Sequence, residues 1–191
     1  RSPPRSLLAA PLVAGPGSLW NHSCGTTVLL AGCLGQRGGR TWLDSARTDL
    51  LEPLGIPRWE WRSGFHRRPL AYAGLRLTPP DLLRLGQLLL TGGAWQGSQV
   101  VPAAWIDASL QPSITIGKGP FSYGHHWWDG LVPRNGTKLR WTAGVGNGGQ
   151  RLFVVPELDL VVVFTAGFYG EKSEQMGRTD FALFRQIVGA G

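Results

Sequence analysis

The stretch that most constrains this chain is residues 141–167, WTAGVGNGGQRLFVVPELDLVVVFTAG, a glycine-rich entry feeding two apolar runs across a short turn. Residues 150–155 and 160–165 are β-branched and aromatic runs of strand length. With Pro156-Glu157-Leu158-Asp159 between them, they predict a β-hairpin. The second run is apolar at consecutive rather than alternate positions, which predicts burial on both faces, as in a central strand covered by helices. A chain carrying this hairpin has to layer helices on a sheet.

Gly144-Val145-Gly146-Asn147-Gly148-Gly149 meets the G-x-G-x-x-G spacing. A dinucleotide site needs a strand before those glycines and a helix after them, so that the pyrophosphate meets a helix N-terminus. Here a strand follows, and nucleotide binding is not expected. Glycines in this number instead allow the backbone to approach a ligand closely or to take positive φ. A flexible loop entering a strand is the plainer alternative.

At 191 residues the chain can bury the core of one domain. No stretch approaches the roughly 20 apolar residues that span a bilayer, and the N-terminal residues are too proline-broken to read as a secretory signal. The net charge is +7, with Lys118, Lys138 and Lys172 the only lysines. The arginines are mostly scattered, so the charge speaks to solubility and encounter. In one cluster Arg58, Arg62, Arg67 and Arg68 interleave with Trp59, Trp61 and Phe65. It could stack bases, or its aromatics could pack inward while the arginines stay solvated. Nucleic acid is not expected as a partner. Cys24 and Cys33 are the only cysteines; on a helix, a rise of about 1.5 Å per residue puts them too far apart to bridge, and both are expected to be buried.

Residues 26–34 have helical spacing, with Val28, Leu29, Ala31 and Gly32 read as packed. Thr41-Trp42-Leu43-Asp44 is a capping box opening a helix to about Glu52, ended by Pro53-Leu54-Gly55. Residues 56–75 have no periodicity and read as a long aromatic and basic loop. Thr78-Pro79-Pro80-Asp81 starts a second helix, with Leu82, Leu85 and Leu89 on one stripe, and Gly92-Gly93 stops it. Pro102 opens a shorter helix to Leu110, and residues 112–120 are loop. Residues 121–128 read as a strand ended by Asp129-Gly130. Residues 178–188 form a terminal amphipathic helix with Phe181, Phe184, Ile187 and Val188 on one side.

Chemistry is sparse. His125 and His126 are adjacent, so on a strand they face opposite ways, and no carboxylate stands at ligand spacing; no metal and no cofactor are expected. Tyr123, Trp127 and Trp128 read as strand core or as the wall of a cleft. His22 sits just before a helix, where junctions present side chains to clefts; a surface or capping histidine is the plainer alternative.

The succession Pro16-Gly17-Ser18-Leu19-Trp20-Asn21-His22-Ser23-Cys24-Gly25, Leu51-Glu52-Pro53-Leu54-Gly55-Ile56, Ala73-Gly74-Leu75-Arg76-Leu77-Thr78 with Asp81-Leu82, Tyr123-Gly124 with Trp127-Trp128, and Gly148-Gly149-Gln150 with Pro156 resembles the serine β-lactamase-related family. That family includes class C β-lactamases, D-alanyl-D-alanine carboxypeptidases, esterases and aminohexanoate-oligomer hydrolases. The resemblance implies an α/β fold of α+β type, a helical cluster packed on a mainly antiparallel sheet. It implies acyl transfer, in which a serine of an S-x-x-K motif attacks an ester or amide carbonyl and a K-T-G-like strand helps form the oxyanion hole.

Three departures stand out. No S-x-x-K occurs; Thr115-Ile116-Gly117-Lys118 has the lysine spacing but threonine for serine. His22 stands at the tyrosine position of the family's Tyr-x-Asn, where an imidazole can still act as a general base. Counting back from Pro156, the K-T-G position falls on Trp141-Thr142-Ala143, to within a residue or two, which keeps the threonine and loses the cation. The resemblance therefore implies an esterase, amidase or inactive relative. Residues 1–191 are expected to be the C-terminal part of one domain, with its N-terminal strands, helix and nucleophile supplied by an N-terminal half, and to be inactive alone. His22 is the catalytic candidate. Trp141, Thr142, Ala143 and Gly144 are the substrate-binding strand, and Tyr123 and Trp127 the cleft wall. The expected partners are a small acyl substrate and that N-terminal half, with no membrane; the resemblance suggests a bacterial protein, periplasmic or secreted. Without the missing strands, residues 160–165 would present an unpaired edge.

Overall fold

The computed structural model describes residues 7–35, 39–64, 68–169 and 173–189, with the backbone alone for 173–177. The chain divides into two compact units, Arg1–Leu77 and Thr78–Gly191.

In the first unit, α1 (Cys24–Leu34) buries Ala31 and half-buries Val28 and Leu29, while Gly32 stays exposed. Cys24 and Cys33 are free as expected, but both are exposed rather than buried, because the helix turns a single narrow stripe inward. The capping box forms: the Thr41 hydroxyl accepts from Asp44 N at 3.1 Å, and Asp44 Oδ2 accepts from Thr41 N at 3.0 Å. It opens α2 (Trp42–Ala46), which passes into a π-helical turn over Arg47–Leu51. Leu51, Leu54 and Ile56 are almost wholly buried.

The Thr41 hydroxyl, and after it the Thr41 backbone amide, hold the Asp44 carboxyl below the usual carboxylate range. A depressed folded value means this stabilisation is present above the unfolded value and is lost as pH falls through the folded one. Amide protons at the start of α2 are therefore expected to exchange faster below about pH 4, and Asp44→Asn should flatten that response. An acid-independent exchange rate would count against the cap.

Residues 56–75 are more ordered than a loop. β1 (Glu60–Trp61) pairs antiparallel with β2 (Leu75–Arg76). The Trp61 indole donates to Leu70 O at 2.8 Å and packs edge-on against Trp42 at 4.9 Å. Trp61 thus packs inward, while Arg58, Arg62 and Arg68 are exposed. Phe65 and Arg67 of that cluster lie outside the described residues.

The second unit starts with α3 (Pro79–Leu90), capped by Thr78, whose hydroxyl accepts from Asp81 N. A small hairpin of β3 (Ala94–Trp95) and β4 (Ser98–Gln99) leads to α4 (Ala103–Ser109). Six antiparallel strands follow in the order β10-β9-β8-β7-β6-β5: β5 (Ile114–Thr115), β6 (Ser122–Gly124), β7 (Trp127–Arg134), β8 (Thr137–Gly146), β9 (Gln150–Val155) and β10 (Leu160–Phe164). The chain ends in α5 (Ser173–Gly189).

The expected β9–β10 hairpin forms, turning through Pro156–Leu158 with Asp159 at φ 49°. β10 is the edge strand of the described sheet, as expected for residues 160–165 without further strands. Its continuous apolar run is covered on both faces by helices, as the sequence predicts. On one face a Cβ at Gly86 of α3 would collide with Val161 and stand 2.9 Å from Leu152. On the other, Val162 joins Trp141, Phe153, Phe184 and Val188 in the core under α5. Ile187, predicted on that apolar side, is 43% exposed.

Residues 121–128 are not one strand. His125 and His126 take φ of 47° and 69° and form the turn between β6 and β7. Histidine tolerates the left-handed region better than most residues, so the turn needs no glycine. β7 then runs through Asp129-Gly130 instead of ending there, and Asn135-Gly136 turns it into β8.

Candidate functional site

Strand alternation decides which side chains share a surface. Across β7, β8 and β9 the rungs Trp128↔Ala143↔Phe153 and Asp129↔Thr142↔Val154 lie on opposite faces. Trp141 and Ala143 face α5; Thr142 and Gly144 face the other way, toward the side covered by α3. Tyr123, opposite Trp128, falls on the α5 face. The four residues expected as the substrate-binding strand are thus divided between the two faces, and so are Tyr123 and Trp127, expected as the cleft wall. Trp141 is buried in a ring of Phe121, Phe153, Phe181 and Phe184, so its indole is core and not substrate wall. His22 belongs to the first unit, is exposed and lies 6.4 Å from Trp20 between ring centroids.

What the sheet does concentrate is a notch at the end of β7. The two-residue Asn135-Gly136 turn, with φ of 47° and 79°, closes on the hydrogen-bonded pair Arg134–Thr137. Counting by twos along the unbroken register, residues 137, 139, 141 and 143 address β7 with their backbone groups, and 138, 140, 142 and 144 address β9. Val145 continues the first set. The last β7–β8 rung is Trp128↔Ala143, because the His125-His126 turn has already carried the chain to β6. The Val145 N–H and C=O therefore point into the gap that β7 leaves.

Gly144 and Gly146 flank this amide. The Trp127 ring lies 3.5 Å from where a Cβ on Gly144 would stand, at ordinary van der Waals contact. Val145 is 44% exposed. The Tyr123 hydroxyl stands 3.4 Å from His126 Nδ1, and burial pushes the phenol above its usual value, so it remains a neutral donor. Val145 was not singled out in the sequence, because the amide's direction depends on where β7 stops. The Asn135-Gly136 signal would have located both strands.

Beneath Thr142 lies a charged cluster. Arg140 Nε donates to both Asp129 oxygens, at 3.0 and 2.8 Å, and its Nη2 reaches Leu110 O. The Thr142 hydroxyl donates to Asp129 Oδ2 at 3.0 Å. Its proton is thereby committed, leaving lone pairs for anything beyond. Among the described residues no cluster of histidine, cysteine and carboxylate could hold a metal, and no helix is long and apolar enough to cross a membrane.

An antiparallel sheet with helices on both faces defines a mixed α/β protein of β-lactamase/transpeptidase type, and solved structures agree. A Bacillus anthracis protein named for 6-aminohexanoate-dimer hydrolase superposes with a TM-score of 0.77 at 23% identity, over 95% of this chain and 47% of that one. A penicillin-binding protein of Bacillus halodurans gives 0.69 at 15%, over 95% and 62%. The chain belongs to the Beta-lactamase family, whose model matches residues 2–183. Among curated relatives, the 6-aminohexanoate-dimer hydrolase of Paenarthrobacter ureafaciens is 29% identical over 102 residues, 49% of this chain and 25% of that protein. The chain thus spans a quarter of that relative's length and about half of the first structural neighbour.

Proposed function

We propose that this chain supplies the sheet-side wall of an acyl-transfer cleft, in which an ester or amide of a small carboxylic acid is hydrolysed through an acyl-enzyme. The observation that carries the reading is the Val145 amide aimed into an open notch between two glycines, in a chain of the Beta-lactamase family. As a serine oxygen adds to the carbonyl, negative charge grows on the carbonyl oxygen. A fixed amide donor at that point stabilises the charge without reorganising. The leaving group departs with a proton, and water then releases the acid. His22 is the residue of this chain assigned to carry that proton, by its place in the sequence.

The serine and its lysine are assigned to residues outside these 191, since no S-x-x-K stands within them. The chain alone is expected to hydrolyse neither nitrocefin nor p-nitrophenyl acetate, and to take up no fluorophosphonate on serine. Intact mass would read this, and one mole of serine adduct per mole of chain would overturn the assignment. A second reading, a non-catalytic binding module of the same fold, is favoured by Trp141, a core residue where the family's cation is expected. It predicts that no added S-x-x-K segment restores turnover.

A further inference from the structure

Val145 lies between Gly144 and Gly146, and the turn that follows contains Gly148 and Gly149 at φ of 80° and 87°. Four glycines around one amide leave the backbone free to move, whereas an oxyanion donor has to be held within about 0.5 Å of its working position. The strand register names the side chain that restrains it. Arg151 of β9 is directly opposite Val145, and the next rung, Gly146↔Gln150, is the last before the turn. Arg151 Nη1 donates to Gly146 O at 2.7 Å and to Gln150 O at 2.9 Å. One nitrogen with two protons thus bridges both carbonyls of the closing rung. On the same face Arg151 Nε stands 2.8 Å from Asp180 Oδ2 of α5, the two side chains being 11% and 3% exposed. Oδ2 accepts no aligned hydrogen bond, so charge holds Asp180 to the guanidinium. The far side of the turn is tied separately, by Phe168 N donating to Gly148 O at 3.1 Å and Gln150 Nε2 to Ala166 O. A buried ion pair adds little stability over apolar side chains of similar size. At this place it adds a fixed position for Nη1, and α5 becomes the anchor of the β8–β9 turn.

We propose that Arg151 and Asp180 are positioning residues for the Val145 donor. Asp180 fixes the guanidinium to α5, and the guanidinium fixes the closing rung one residue beyond the amide that points into the notch. Both side chains stay on the α5 face of the sheet, so they act through the backbone. The catalytic role rests on the acyl-transfer reading, whereas the clamp on the turn does not.

Two measurements separate the clamp from the chemistry. In the 191-residue chain, amide exchange at Gly146 and Gln150 reports opening of the closing rung. It should speed about tenfold in Arg151→Lys, which keeps a charge beside Asp180 but lacks the fork that spans both carbonyls. The Leu152 and Val154 amides should exchange as in the parent. In a protein or complex where the chain meets a Ser-x-x-Lys nucleophile, Arg151→Lys should lower kcat about 10- to 100-fold with KM unchanged, the cost of a slightly displaced donor. The double change Arg151→Met with Asp180→Leu removes both buried charges together. It should keep the parent's melting temperature without restoring kcat. Beside Val145→Pro, Arg151→Lys should cost no further kcat, because the amide it positions is gone. Parental exchange at Gly146 and Gln150 overturns the proposal alone. So does a parental kcat in the double variant, or an Arg151→Lys loss that persists undiminished beside Val145→Pro. Full kcat in Val145→Pro by itself overturns the donor reading, and the catalytic role of Arg151 and Asp180 with it.

Discussion

Asp129→Ala is expected to lower the stability of the Thr78–Gly191 unit by about 3 kcal/mol, and enough to unfold it if its total is as small as in many domains. The Asp129 carboxylate is buried and takes three bonds, two from Arg140 Nε and one from Thr142. Removing it leaves a guanidinium and a hydroxyl facing one another in the sheet. Breaking one side of a buried pair costs about 3–5 kcal/mol; the Arg140 side chain is 36% exposed, so water recovers part of that and the lower end applies. Urea unfolding followed by tryptophan fluorescence measures it. Asp129→Asn, which keeps the shape and one acceptor, should cost less. The double change Asp129→Ala with Arg140→Met should recover much of the loss, because the orphaned charge goes with it. A single variant that melts like the parent would mean the cluster is solvated and not structural.

That cluster also marks the limit of what the sequence makes legible. The hairpin of β9 and β10, both capping motifs, α3 and the terminal helix all follow from local rules: periodicity, a threonine three residues before an aspartate, a proline at a first turn. Each can be satisfied within a dozen residues. The pairing of Asp129 with Thr142 depends instead on β7 continuing through Gly130, and that glycine looks like a stop. It is interior because the Trp141 ring occupies the space a Cβ would take. By contrast β10 is legible: its consecutive apolar residues predict a helix on each face, and both helices are there. For the site, the resemblance directs attention to the strand that holds residues 137–146. The assignment of Trp141 failed because counting along a strand sets position but not face: one residue of slip moves every side chain to the other side.

The same alternation gives the sharpest catalytic expectation. In a protein or complex where this chain meets a Ser-x-x-Lys nucleophile, Val145→Pro should lower kcat by about 100- to 1,000-fold, the usual cost of losing one oxyanion donor. Proline removes the N–H and little else, because it is tolerated at strand edges where the amide faces away from the ladder, and Val145 has no β7 residue opposite it. KM and the melting temperature should therefore change little, which separates lost transition-state stabilisation from lost folding. Val145→Ala keeps the amide and should stay within a few-fold of the parent. If the proline variant keeps full kcat, the oxyanion donor lies elsewhere, and the notch at the end of β7 is then a gap in the ladder without a catalytic role.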